Sequence, residues 1–104
     1  SKALLVQYPH QGSWTIAFLT GAPGGQVARH LPGDCVSVYV PTTPNPTSGF
    51  FLMMPRAHVI ELDMSVDDAL KYIISMGVVV PGGPDALPVK SVADNAQPAS
   101  SNSL

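Results

Sequence analysis

Three histidines and one cysteine are the side chains of this 104-residue chain best suited to metal binding or to acid–base and nucleophilic chemistry. His10, His30 and His58 lie far apart in the sequence, and their spacing fits no zinc signature. Cys35 is the only cysteine, so neither an internal disulfide nor a cysteine-based metal site can form. We interpret these side chains as structural and predict no catalytic residue, no metal site and no cofactor.

Two further patterns are candidates for ligand binding. The glycine-rich stretch "GAPGG" at 21–25 lacks the Lys-Ser/Thr pair of a phosphate loop, and no helix is predicted after it, because residues 26–30 suggest a short edge strand. Four acidic residues cluster later in the chain, at Glu61, Asp63, Asp67 and Asp68. They do not alternate around a glycine turn as calcium ligands do, so neither pattern predicts a site.

The stretch "VPTTPNPTSGF" at 40–50 contains three prolines, Pro41, Pro44 and Pro46. Proline fixes its own φ and restrains the residue before it, so we expect an ordered, extended loop at one end of the sheet. Two interpretations stay open, a stiff connector and a recognition element. Strand alternation predicts that one ring of the following pair, Phe50 and Phe51, points inward and the other outward.

Composition restricts the class of protein. The net charge is −2 and the five basic residues are scattered, which gives no electrostatic case for binding nucleic acid. Only 12% of residues are charged, which is typical of a domain beside a membrane or packed against copies of itself and does not decide between the two. The apolar runs are shorter than the ~18 residues of a membrane-spanning helix. No signal peptide is visible, and whether the chain is a fragment stays open.

The elements that must position these residues are mostly strands. Period-2 patterns predict strands at 2–8, 14–20, 35–40, 50–54 and 58–62, with a short final strand at 78–80. The first two should form a hairpin. The period then changes to that of a helix at 66–76, with Ser65 as its N-cap and Gly77 as its left-handed C-terminal residue.

The predicted fold class is mainly β (α+β): a small antiparallel β barrel or curled sheet of five to six strands with one C-terminal helix. The expected core is Trp14, Ile16, Phe18, Val36, Val38, Leu52, Val59, Leu70 and Ile73. Residues 1–81 should form this domain. Residues 82–104 are rich in Pro, Gly, Ser and Ala, and this composition predicts a disordered tail.

Four blocks of sequence, in order, carry a family resemblance: "YPHQGSWTIAFLTG", "VYVPTTPNPTSGF", "IELDMSVDDALKYIISMG" and "VVVP". Together they resemble an uncharacterised membrane-protein family, family 502 of the domains of unknown function. It groups bacterial inner-membrane proteins with the plant continuous-vascular-ring-like proteins. Family members commonly have a glycine pair after the serine that ends the helix, whereas this chain has Ser75-Met76-Gly77. We expect Met76 to extend the apolar face of the helix.

The resemblance implies that membrane-spanning helices, absent from this chain, precede the domain, and that the protein is associated with the bacterial inner membrane. No catalytic activity is attached to the family. The positions that match its motifs mark a candidate interaction surface, together with the adjacent Phe50: Tyr8, Pro9, Gly12, Pro41, Thr42, Pro44, Asn45, Pro46, Ser48 and Gly49.

Two functions are therefore predicted as alternatives. The first is a non-catalytic module of a membrane protein that binds a protein partner or associates with itself. The second is a small hydrolase or other enzyme that uses Cys35 or a histidine with the Thr/Asn-rich loop. The second requires one of these side chains to lie within hydrogen-bonding reach of Asn45, Ser48 or a carboxylate inside a cleft.

Overall fold

A computed structural model describes residues 2–81 of the chain. These residues form five strands and two α-helices, with one 3₁₀ helix at Arg56–His58. In chain order they are β1 (Ala3–Gln7), β2 (Trp14–Gly21), α1 (Gly25–His30), β3 (Cys35–Pro41), β4 (Gly49–Pro55), β5 (Ile60–Glu61) and α2 (Val66–Ile74). The predicted mainly β fold with a C-terminal helix is confirmed.

The five strands form one antiparallel sheet in the order β4-β3-β2-β1-β5. The first two strands pair as the predicted hairpin, with Leu5 opposite Ile16. Strand β3 pairs with β2, and β4 pairs with β3. Strand β5 pairs with the other side of β1, where Leu4 lies opposite Glu61. β4 and β5 are the two edges, so the sheet is open and the barrel alternative is wrong.

The sheet is curled, because a short link connects its two edges. Five flat strands would separate β4 from β5 by about 19 Å at ~4.8 Å per strand. The link from Pro55 to Ile60 includes the three-residue 3₁₀ helix and reaches only about 13 Å. The two edges therefore bend toward each other.

The concave face holds one of the two buried clusters, formed by Leu4, Val6, Ala17, Val36, Val38 and Val40.

Helix α2 covers the convex face of the sheet. Its N-cap is Ser65, as predicted, and the Ser65 hydroxyl accepts a hydrogen bond of 3.1 Å from the backbone N–H of Asp68. Ala69 and Ile73 are its buried residues, and they pack on Ala3, Ile16 and Phe18 of the sheet. Both faces of β1 and β2 are thus buried, which explains why Ala17 is buried although it alternates with Ile16 and Phe18.

Helix α2 ends at Ile74, two residues before its predicted end at Met76, and the left-handed conformation begins one residue earlier than predicted. The N–H of Met76 donates to the carbonyl of Ile73, and the N–H of Gly77 donates to that of Tyr72. This is the Schellman pattern, in which the first residue after the cap is left-handed. That residue is Met76, with φ of 53°, followed by Gly77 with φ of 87°. Met76 is 69% exposed, so the expectation that it extends the apolar face is wrong.

Three other element predictions need correction. Residues 25–30 form α1, which connects β2 to β3, rather than the edge strand predicted at 26–30. Residues 78–80 form no strand. The strand predicted at 58–62 is shortened to Ile60–Glu61, because the 3₁₀ helix occupies its first residue.

The core prediction is right for Ile16, Phe18, Val36, Val38 and Ile73, which are buried. Three further predicted residues, Leu52, Val59 and Leu70, are partly buried against these clusters. Trp14 is 49% exposed, which contradicts its predicted place in the core. It begins β2 opposite Gln7, at the end of the strand pair rather than in its centre.

No helix within residues 2–81 combines the length and the apolar character needed to span a membrane. The predicted tail, 82–104, lies outside the described residues, so the division of the chain at residue 81 stays a prediction.

Candidate interaction surface

Two connections lie at the same end of the sheet, because antiparallel strands alternate in direction. The hairpin turn, residues 8–13, joins β1 to β2, and the proline loop, residues 42–48, joins β3 to β4. An aromatic contact links them: the rings of Tyr8 and Phe50 have centroids 5.9 Å apart and planes tilted by 39°. We call the hairpin turn, the proline loop and Phe50 together the loop-end surface.

The proline loop is held by its own polar side chains. The Thr42 N–H donates to the carbonyl oxygen of Ser48 at 2.8 Å, and the Thr42 hydroxyl lies within hydrogen-bonding distance of the carbonyl oxygens of both Ser48 and Asn45. The Asn45 Oδ1 accepts from the N–H and the hydroxyl of Thr47, at 3.2 and 2.7 Å. These bonds close the loop into one conformation, as an Asx turn does.

Two contacts fix the proline loop to the sheet. The Tyr39 hydroxyl donates to the carbonyl oxygen of Pro46 at 2.9 Å. Gly49, where β4 begins, lies so close to β3 that a Cβ there would be 2.8 Å from Tyr39 Cε1 and 2.9 Å from the Pro41 Cα, and would overlap the Val40 carbonyl oxygen. Only glycine fits this position.

The hairpin turn is closed in a similar way. The Tyr8 N–H donates to the Ser13 carbonyl oxygen at 2.9 Å, which continues the β1–β2 ladder by one pair. The Gly12 N–H donates to the Gln7 Oε1 at 2.6 Å. The Tyr8–Pro9 peptide bond is cis, as is Thr43–Pro44 in the proline loop.

Phe50 and Phe51 lie on opposite faces of β4, as alternation predicts, but neither is buried. Phe50 is 52% exposed and Phe51 is 67% exposed. Phe50 lies opposite Val40 and so points toward the concave face, as predicted for the inward ring, but it stays half exposed because β4 is an edge strand and Phe50 lies at its loop end. The result is more exposed aromatic surface than expected.

Most of the predicted surface residues meet at this end of the sheet. Seven are exposed: Pro9, Gly12, Pro44, Asn45, Ser48, Gly49 and Phe50. Tyr8, Thr42 and Pro46 are half-buried, and Pro41 is buried as the last residue of β3. Sequence reasoning missed Thr43 and Trp14, which line an adjacent groove of about 380 Å³ together with Tyr72 and Met76 of the α2 region. The unusual exposure of Trp14 becomes visible only in the fold.

The loop-end surface carries no formal charge. Residues 8–13 and 41–50 contain no Asp, Glu, Lys or Arg, and His10 is their only titratable side chain besides Tyr8. Its exposed groups are amides, hydroxyls, prolines, the His10 imidazole and the Phe50 ring. Depletion of charge with enrichment of aromatic residues is typical of the centre of a protein–protein interface.

The candidate reactive residues do not converge on the proline loop. Cys35 is buried at the start of β3, the end opposite the loop, and its thiol lies 3.7 Å from the Pro32 carbonyl oxygen. His30 ends α1 and is exposed. Neither residue therefore contacts Asn45 or Ser48.

Within residues 2–81, His10 has the one contact that resembles a base beside a nucleophile. Its Nε2 lies 3.5 Å from the Ser13 Oγ, and its Nδ1 lies 3.1 Å from the Gln11 carbonyl oxygen. His10 also lines an open depression of about 330 Å³ with Gln7, Gln11 and His58. The distance between His10 Nε2 and Ser13 Oγ is long for a hydrogen bond. His10, Gln11 and Ser13 all belong to the hairpin turn at the surface. Within residues 2–81, no group of three or more His, Cys, Asp or Glu side chains could hold a metal ion.

Comparison with known families adds one finding. A family model described as "Protein of unknown function (DUF502)" matches residues 1–48, which covers the first three strands and the proline loop. This match confirms the family resemblance for the first block and nearly all of the second, whereas the two blocks at 60–77 and 78–81 lie outside the matched residues. No curated protein and no solved structure matches the chain.

Proposed function

We propose, from the similarity of residues 1–48 to family 502 of the domains of unknown function, that the chain is a non-catalytic module of a membrane protein. Its role is to bind a protein partner, or another copy of the membrane protein, through the loop-end surface. The membrane-spanning helices and the location at the bacterial inner membrane come from the family resemblance and are part of this proposal.

The observation that carries the proposal is the uncharged, preorganised character of the loop-end surface. Side-chain hydrogen bonds within the proline loop already fix its shape, so binding would order few additional groups. Phe50 supplies exposed aromatic area beside the loop. The absence of formal charge favours a protein partner over an anionic lipid surface, which attracts clustered Lys and Arg.

The proposal is tested in the full membrane protein with the double variant Pro44→Ala/Pro46→Ala. Loss of both prolines raises the conformational entropy of the unbound loop and weakens a surface that depends on its shape. The matched control is Pro23→Ala/Pro32→Ala, which replaces two prolines that flank α1, away from the loop-end surface. Cross-linking in the membrane, followed by partner identification and oligomer size, is the measurement.

We expect the loop variant to lose cross-linked partner severalfold while the control variant retains it. Equal partner recovery and equal oligomer size for both double variants would contradict the proposal. The loop would then be a stiff connector between β3 and β4.

The enzyme alternative requires an activated Cys35 or histidine. The enzyme alternative would be supported if iodoacetamide alkylated the Cys35 thiol rapidly and in a pH-dependent way, and if replacement of a histidine slowed the reaction. A buried thiol without a base alkylates slowly, which is what the contact between Cys35 and the Pro32 carbonyl leads us to expect.

A further inference from the structure

The outer edge of β4 is an unpaired strand of unusual composition. Its seven residues, "GFFLMMP", contain no charged side chain, and no other strand within residues 2–81 pairs with the side facing away from β3. Natural proteins usually protect such an edge with charged residues, a bulge or a very short strand. Here only Pro55, at the end of β4 away from the proline loop, interrupts the row of backbone N–H donors along the edge.

The hydrogen-bond register identifies which backbone groups face outward. The Thr42 N–H donates to the Ser48 carbonyl, so this pair occupies a hydrogen-bonded position of the β3–β4 ladder. Hydrogen-bonded positions recur at every second residue of an antiparallel pair. Phe50 and Leu52 therefore direct their backbone groups toward β3, and Gly49, Phe51 and Met53 direct theirs to the open edge.

We infer that a second copy of this chain pairs with the β4 edge in antiparallel orientation, with Phe51 opposite Phe51 of the second copy. This inference goes beyond the proposed function, because it assigns a different surface, the strand edge, and one partner. In this register Gly49 lies opposite Met53 of the second copy. The two sheets become one continuous sheet across a two-fold axis.

The edge is complementary to itself in this arrangement. Gly49, Phe51 and Met53 each have a backbone N–H and C=O, so each outward-facing group finds a partner across the axis. Pro55, which lacks an N–H, lies outside the paired residues. Gly49 has no side chain, which leaves room for the Met53 side chain opposite, and the two Phe51 rings form a cross-strand aromatic pair.

The surface beside the edge is apolar on the same face as Phe51. A depression of about 240 Å³ lies there between α1 and β4, with Val27, Phe51 and Met53 among its lining residues. Val27 is 49% exposed. Pairing through β4 would bring the second Phe51 ring next to this depression and remove both from water.

The opposite edge does not offer the same pairing. β5 has only two residues, and one of them, Glu61, lies 3.9 Å from Lys2 in an exposed ion pair. A short, charged edge resists strand addition. The association therefore closes as a dimer and does not extend into a fibre.

Sedimentation of the 104-residue chain over a range of concentrations tests the inference. We expect a monomer–dimer equilibrium that Phe51→Lys weakens roughly tenfold or more, because two lysines would face each other at the axis. The control is Ile74→Lys, which places the same charge on α2 at a residue that is 52% exposed. A wild-type chain that stays monomeric at high concentration, or equal weakening by both variants, would overturn the inference.

A cysteine experiment tests the register. In a Cys35→Ala background, Phe51→Cys should form a disulfide-linked dimer on mild oxidation, since facing residues in such a pair lie about 5.5 Å apart at Cα. Ile60→Cys, on the opposite edge and 48% exposed before substitution, should form far less. Equal cross-linking at both positions would refute pairing through β4. The proline-loop double variant leaves this edge intact, so failure of one proposal does not imply failure of the other.

Discussion

The hydroxyl of Tyr39, in the central part of strand β3, donates a hydrogen bond of 2.9 Å to the carbonyl oxygen of Pro46 in the proline loop. Tyr39 also packs against the cluster beneath α2, so this one side chain connects the convex core to the loop-end surface. The shape of the surface therefore depends on a residue that is not part of it.

Tyr39→Phe should lower the free energy of unfolding by about 1 kcal/mol, the usual net contribution of one hydrogen bond. Chemical denaturation measures this loss, and hydrogen exchange should show faster exchange within the loop. Tyr72→Phe is the matched control, because Tyr72 is also partly buried but no hydrogen bond of its hydroxyl is seen within residues 2–81. An equal loss in both variants would argue against a specific role for the bond to Pro46.

Gly49→Ala should destabilise the fold by roughly 1–3 kcal/mol, as overpacking of a well-packed site does. The new Cβ would overlap the Val40 carbonyl oxygen, which belongs to the backbone of the adjacent strand and has little freedom to move. Gly24→Ala is the control, since nothing lies within 4 Å of a Cβ at that position. Thermal unfolding of the two variants gives the comparison, and a neutral Gly49→Ala would contradict the close approach.

Met76→Gly should raise the free energy of unfolding by about 0.5–1 kcal/mol. A left-handed conformation at φ of 53° is unfavourable for a residue with a Cβ and costs glycine nothing. The Met76 side chain is mostly exposed, so little apolar contact is lost. Met76→Ala separates the two effects, because it removes the side chain but keeps the strain. Stabilisation by alanine equal to that by glycine would show that the backbone conformation is not the cause.

Ile16→Ala should cost about 2–5 kcal/mol, since Ile16 is 7% exposed and packs between the sheet and α2. Trp14→Ala should cost clearly less, although tryptophan is the larger residue, because Trp14 is 49% exposed. Urea denaturation ranks the two variants. The opposite order would place Trp14 in the core, where its sequence pattern suggested.

Local sequence patterns were sufficient for the long strands and for α2. The alternation of Ile16 and Phe18, and the Ser65 cap with Asp68 at the third helical position, are signals contained within a few residues. α1 was missed because six residues are too short to show a helical period. The left-handed Met76 was missed because the glycine beside it is the residue type that usually takes that conformation.

The sequence predicted which residues form the loop-end surface but not how exposed their side chains are. Proline and glycine positions marked the proline loop, and alternation put Phe50 and Phe51 on opposite faces. Their joint exposure follows from the position of β4 at the edge of the sheet, which is set by strand order. Strand order depends on distant pairings that no short stretch of sequence contains.

The pairing of β5 with β1 has a consequence for the order in which the chain folds. Strands β1 to β4 pair with their neighbours in sequence, whereas Leu4 meets Glu61 only after most of the described chain has been ordered, so this pairing forms late and opens first. Two hydrogen bonds of equal length, 2.9 Å, lie on the two sides of β1: Leu19 donates to the Lys2 carbonyl and Leu62 donates to that of Ala3. The Leu62 amide should exchange with solvent faster than the Leu19 amide, despite identical bond lengths, and equal rates would show that the sheet opens as one unit.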